Sequence, residues 1–188
     1  MKTTSATWGG FVLVGLLAPY VAAAEAPAPA LTLVEDGRPA AAVLVGHDAP
    51  DRAMNAARIL VAHLEWMSGA AVPVLRDTPD APFRTADGVV VPPDGAPAGA
   101  RAFAVVGDGG LARALGVTTD GLGPSGIRLR TAGSALVLTG STDDPYTTTY
   151  AVSELLERLG CRYLWPGDLG KVIPRRPTVP VPALDHAY

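Results

Sequence analysis

Hydrophobic positions along this chain change their period several times, and each change marks an element. Ala53, Ala56, Ala57, Leu60, Leu64 and Met67 recur at spacings of three and four, on one face of a helix, while Arg52, Arg58 and Glu65 fall off it. Asp48 stands where it could cap that helix near Pro50, and Gly69 is a natural stop. A second helix carries the stripe Val152, Leu155, Leu156 and Leu159. Asp143 or Asp144 is its expected cap, Pro145 suits its first turn, and Gly160 ends it. Elsewhere the runs are short and strand-like. Residues 31–34, Ala41–Val45, 72–75 and Ala102–Val106 read as strands, with Glu35-Asp36-Gly37 as a turn after the first. Ile127 and Leu129 alternate with Arg128 and Arg130, the turn is Ala132-Gly133-Ser134, and residues 135–139 return, which predicts a hairpin. The stretch 76–101 is loop-like, with 89–91 a minor strand. Residues 161–164 read as the final strand.

This order of elements predicts an α+β (α/β two-layer) domain, a mixed β-sheet with two long helices packed on one face.

The N-terminus has a different pattern. Lys2, an apolar run from Phe11 to Leu17, and Ala22-Ala23-Ala24 before Glu25 match a secretory signal peptide cleaved after Ala24. The run is too short for a membrane span, and Gly15 and Pro19 interrupt it. The organisation expected is therefore a signal peptide at 1–24, a tether at 25–30, one α/β domain at 31–173, and a proline-rich linker at 174–188. Export to the periplasm or the outside follows from the leader.

Composition narrows the chemistry. The net charge is −3 and the basic residues are scattered, which disfavours nucleic acid and anionic membrane as partners. Cys161 is the only cysteine, so no internal disulfide can form, and it reads as a small buried apolar side chain. His47, His63 and His186 have no metal-ligand spacing and read as surface or loop residues. No metal, cofactor or catalytic residue is assigned. Gly123-Pro124-Ser125-Gly126-Ile127 lacks the second glycine of a nucleophile elbow. Gly107-Asp108-Gly109-Gly110-Leu111-Ala112 matches G-x-G-x-x-A between a strand and a helix, the context of a dinucleotide loop. The next strand offers no acidic residue for a ribose, so a tight turn is the preferred reading. The carboxylates Asp143, Asp144, Glu154 and Glu157 read as helix-capping and surface groups rather than as the pair that glycoside hydrolysis needs.

The most informative segment is 146–170. An amphipathic helix is followed at once by Gly160-Cys161-Arg162-Tyr163-Leu164-Trp165-Pro166-Gly167. Trp165 at a strand end, before Pro-Gly, either seals the core or offers its ring to a flat ligand such as a sugar. This segment, with Leu64-Glu65-Trp66-Met67-Ser68-Gly69, Val72-Pro73-Val74 and Gly126-Ile127-Arg128-Leu129 before it, resembles the N-terminal domain of secreted glycoside hydrolases of the α-glucuronidase and bacterial β-hexosaminidase types. The resemblance covers roughly residues 31–185. It implies an accessory domain without catalytic residues, which buttresses a C-terminal (β/α)8 catalytic barrel. It puts forward Trp165, Arg162 and Tyr150 as residues that contact carbohydrate. No barrel fits after Tyr188, so the resemblance also implies that the catalytic part lies beyond this sequence. A stand-alone carbohydrate-binding or surface-interaction module is the alternative, and a nucleotide-binding domain a third reading.

Overall fold

The computed structural model describes residues 30–188. The expected leader at 1–24, and the tether up to Pro29, lie outside the described residues.

In chain order the elements are β1 (Leu31–Glu35), β2 (Arg38–Pro39), β3 (Ala41–Val45), α1 (Asp51–Ser68), β4 (Val74–Arg76), β5 (Thr85–Ala86), β6 (Val89–Val90), β7 (Ala102–Val106), α2 (Gly110–Ala114), β8 (Ile127–Ala132), β9 (Ala135–Gly140), α3 (Thr147–Arg158), β10 (Arg162–Tyr163), β11 (Lys171–Val172), β12 (Val179–Val181) and β13 (Asp185–Ala187). Six strands form one mixed sheet in the order β13-β8-β9-β7-β3-β4. Strands β4, β3, β7 and β9 run parallel, and β8 and β13 continue antiparallel. A small sheet, β12-β1-β2, packs beside it. The fold is α+β, with a mixed sheet and, among the described residues, three α-helices.

Strands β3 and β7 are buried along their whole length, which is why they read as unbroken apolar runs. Their alternate residues feed two cores. Val43, Val45, Ala104, Val106, Leu136 and Leu138 meet the stripes of α1 and α3. Ala42, Leu44, Phe103, Val105 and Val137 meet Leu111 and Ala112 of α2, together with Val90 and Val117. The two long helices lie side by side on one face, as the hydrophobic pattern predicts. The other face is closed by α2 and by the Pro-rich stretch after β4. Helices α1 and α3 run in the same direction, because Arg52 stacks on Tyr146 at their starts, while Arg176 bonds the Met67 and Leu159 carbonyls at their ends.

Several expectations are corrected. The strand placed at 72–75 pairs only from Val74 to Arg76. Asp48 does not cap α1, whose N-cap is Pro50. Its carboxylate turns to α2 instead. Neither Asp143 nor Asp144 caps α3, which begins at Thr147 after Tyr146. Asp144 accepts the Tyr146 amide at 2.8 Å in a local turn before the helix, and Asp143 accepts the Ser125 amide at 3.2 Å. Residues 161–164 do not join the main sheet. Only Arg162 and Tyr163 are strand, and they pair with Val172 and Lys171 in a separate outward hairpin.

The stretch 174–188, expected as a linker, is woven into the fold. Val179 and Val181 are buried in β12, and Pro180 between them pairs at an outer strand of the small sheet, where a missing amide donor is tolerated. Asp185–Ala187 form the edge strand of the main sheet against β8. His63 is also not a surface residue. It sits at 6% exposure on the apolar face of α1.

Candidate functional site

Two sequence features invite a functional reading, and the fold treats them differently. The first is the glycine-rich turn 107–110, at the C-terminal ends of β3 and β7, where open α/β sheets commonly place ligands. Gly107 adopts φ +101°, and a Cβ there would sit 2.9 Å from the Ala53 Cβ. The glycine therefore lets α1 press onto the turn. The Gly110 amide donates to Asp48 at 2.9 Å, and Arg113 donates to the same carboxylate at 2.8 Å. A side chain of the protein itself thus occupies the anion-facing amide of the turn. Beside it, Asp77 accepts the His47 amide at 2.5 Å, His47 Nδ1 at 3.0 Å and the Phe83 amide at 2.7 Å. His47 is a loop residue, and this carboxylate staples two loops together.

Asp144, in the turn before α3, and Glu154, on α3, are similarly engaged. Ser125 donates its hydroxyl to Asp144 at 3.0 Å. Glu154 accepts Arg158 at 2.7 Å and the Tyr188 hydroxyl at 3.2 Å. Among the described residues no group of three or more His, Cys, Asp or Glu could hold a metal ion, and no described helix is long and apolar enough to cross a membrane.

The second feature is the segment after α3. Gly160 turns at φ +92°, and Cys161 is buried in the main core. Burial pushes the Cys161 thiol above its ordinary range, against the pull of Arg176 and Arg162, so it is not a poised nucleophile. Arg162 donates to the Glu157 carbonyl at 2.5 Å and to its neighbour's carbonyl at 2.6 Å, closing the C-terminal end of α3. From there the chain leaves the body as the β10–β11 hairpin.

Its anchor lies on α1. His63 Nδ1 pairs with the Ile59 carbonyl at 2.7 Å, so that nitrogen carries the proton and Nε2 accepts the Tyr163 hydroxyl. Burial holds the Tyr163 hydroxyl above its usual range, which keeps it a donor. The His63 ring meets Trp66 edge-on at 4.8 Å, and Lys171 places its ammonium 5.5 Å from the Trp66 centroid.

Of the three residues put forward for sugar contact, Arg162 and Trp165 share this hairpin. Trp165 is exposed in its loop. Tyr150 is exposed too, but it stands in the first turn of α3, at the opposite end of that helix. The fold therefore does not gather the three into one cluster. His63 and Trp66 are the α1 residues that meet the hairpin, at Tyr163 and Lys171; the sequence gives His63 only as a surface or loop histidine and Trp66 only within the resembling segment. A signal was present, since His63 falls three residues after Leu60, on the helix stripe. Comparison with known proteins adds no relative: no family model and no curated protein matches the chain.

Proposed function

We propose that this chain is the non-catalytic N-terminal accessory domain of an exported glycoside hydrolase, of α-glucuronidase or β-hexosaminidase type, acting on sugars derived from polysaccharide. In this reading it buttresses a (β/α)8 catalytic barrel. The observation that carries the reading is the passage from α3 through buried Cys161 into the outward hairpin with Trp165-Pro166-Gly167. That is the segment on which the resemblance rests. A supporting observation is that three of the four carboxylates weighed as catalytic, Asp143, Asp144 and Glu154, are engaged in hydrogen bonds within the domain.

Retention on insoluble xylan and chitin tests the proposal against a free-standing binding module. A buttress stays in the supernatant at about micromolar protein, where a module with a dissociation constant near that range is depleted. Depletion on either polysaccharide would replace the buttress reading with the module.

A further inference from the structure

His63 is the one buried histidine among the described residues, on the apolar stripe of α1. Imidazole changes its charge between about pH 5 and pH 8, so a buried histidine senses that range when its two protonation states suit different conformations. In the closed hairpin both ring nitrogens are in use. The Ile59 carbonyl can only accept, which fixes the proton on Nδ1 and leaves the Nε2 lone pair to the Tyr163 hydroxyl. Trp66 and Tyr163 meet the ring edge-on, with centroids 4.8 and 5.9 Å away. This enclosure suits the neutral ring.

A proton added at Nε2 turns that acceptor into a donor. The Tyr163 hydroxyl must then rotate its own hydrogen away, and a cation stands where water is largely excluded. Among the described residues, His47 alone has a carboxylate within 4.0 Å of a ring nitrogen, from Asp77, so no acid meets that cation. The ionisable groups of the elements packed around His63 do not change this. On α1, Arg58 and Glu65 are exposed and off the stripe. On α3, Glu154 and Arg158 pair with each other and Glu157 is exposed. The hairpin brings Tyr163 and the Lys171 ammonium, 5.5 Å from the Trp66 centroid, with Asp168 bonded to that ammonium at 2.8 Å. At the hairpin's base stand the buried Cys161 thiol and the guanidiniums of Arg162 and Arg176, which donate to the Glu157 and Leu159 carbonyls. Lifting the hairpin gives the imidazolium to water. The open form then takes up a proton that the closed form excludes, and closure weakens as the pH falls.

We propose that His63 is a pH-sensitive latch for the hairpin at 162–172. Neutral, it holds Tyr163 and keeps the hairpin on α1; protonated, it releases the segment that carries Arg162 and Trp165. The latch does not rest on the buttress reading, because its readout is a backbone amide rather than polysaccharide retention.

Hydrogen exchange of the purified chain tests it at the Leu164 amide, which bonds the Gly170 carbonyl at 2.9 Å within the hairpin. A two-stranded hairpin alone is marginal in water, so this bond frays once the hairpin leaves α1. Protection relative to a free amide at each pH should fall at least about fivefold from about pH 8 to about pH 5, while amides of β3 and β7 keep theirs. His63→Gln, which has no charge to gain, should remove the dependence. Should that variant fail to fold, His47→Gln combined with His186→Gln leaves His63 as the chain's only imidazole and should retain the fall. Protection independent of pH would overturn the latch, as would a fall that survives His63→Gln or vanishes in the double variant. A parallel fall in β3 and β7 would assign the effect to the whole domain and overturn it too. So would firmer closure in acid, in which a charge-assisted bond from His63 to the Tyr163 oxygen outweighs burial.

Discussion

The glycine turn at 107–110 and the hairpin at 162–172 both look like binding motifs when read as strings, and they occupy opposite situations in the fold. The turn spends its polar groups inward. Its free amide is taken by Asp48, the guanidinium of Arg113 closes over the same carboxylate, and Gly107 leaves no room between β7 and α1. The hairpin spends its polar groups on anchoring and keeps its apolar groups outside. Tyr163 is tied to His63 and Lys171 to Asp168, while Leu164, Trp165 and Leu169 face solvent. A motif is available to a partner only when the rest of the chain leaves it uncovered.

The largest test of this contrast is Gly107→Ala. The substitution places a Cβ at φ +101° and within 2.9 Å of the Ala53 Cβ. Backbone strain and overpacking together should cost about 3 kcal/mol. Thermal unfolding should then fall by roughly 10 °C for a domain of this size. A loss smaller than about 1 kcal/mol would mean that the turn has slack, and the contrast with the hairpin would weaken.

The same contrast explains what could be read from the sequence. Ala41–Val45 and Ala102–Val106 were legible to the residue because strands buried on both faces leave an unbroken apolar run. The stripe of α1 was legible because each of its six apolar positions is buried. The failures came where a polar side chain acts at a distance in sequence. Asp48 looks like a local cap, yet it bonds Gly110, 62 residues on. His63 looks like a surface residue, yet its partner Tyr163 lies 100 residues away. Residues 174–188 look like a linker because prolines lower strand propensity, but β12 and β13 draw their order from pairing with β1 and β8. Of the residues put forward for sugar contact, only part can be placed together. Trp165 and Arg162 lie on one hairpin, but the anchor beneath it joins His63 of the α1 stripe to Tyr163, 100 residues on, and that pairing is not visible in any local pattern.

A smaller effect is expected at that anchor. Tyr163→Phe keeps the ring but removes the hydroxyl that His63 Nε2 accepts, leaving a nearly buried acceptor unpaired. The cost should be about 1 kcal/mol, confined to the hairpin. Amide exchange at Tyr163 and Lys171 should accelerate about fivefold, whereas amides of β3 and β7 should keep their protection. Acceleration spread evenly over the sheet would show that the hairpin is part of the core's cooperative unit, and the two regions would not be separable in the way argued above.

The smallest effect separates the hairpin's two fastenings. The hydrogen bond from Lys171, and then its charge, hold the Asp168 carboxyl below the usual carboxylate range, and Asp168 in turn raises the Lys171 amine. A carboxyl depressed in the folded state contributes above its unfolded value of about 3.9, and the contribution is lost as pH falls through the folded value. An amine raised in the folded state contributes below its unfolded value of about 10.4, and is lost as pH rises through the folded one. The Asp168–Lys171 pair therefore stays intact between about pH 4 and pH 10. Carbon-detected titration should place the Asp168 midpoint below the ordinary carboxylate value, and Lys171→Gln should return it there. Both charges sit at the surface, so Lys171→Gln should move the unfolding temperature by less than about 1 °C. If that variant instead accelerated exchange at Tyr163 as much as Tyr163→Phe does, the ion pair would share the anchoring role with His63.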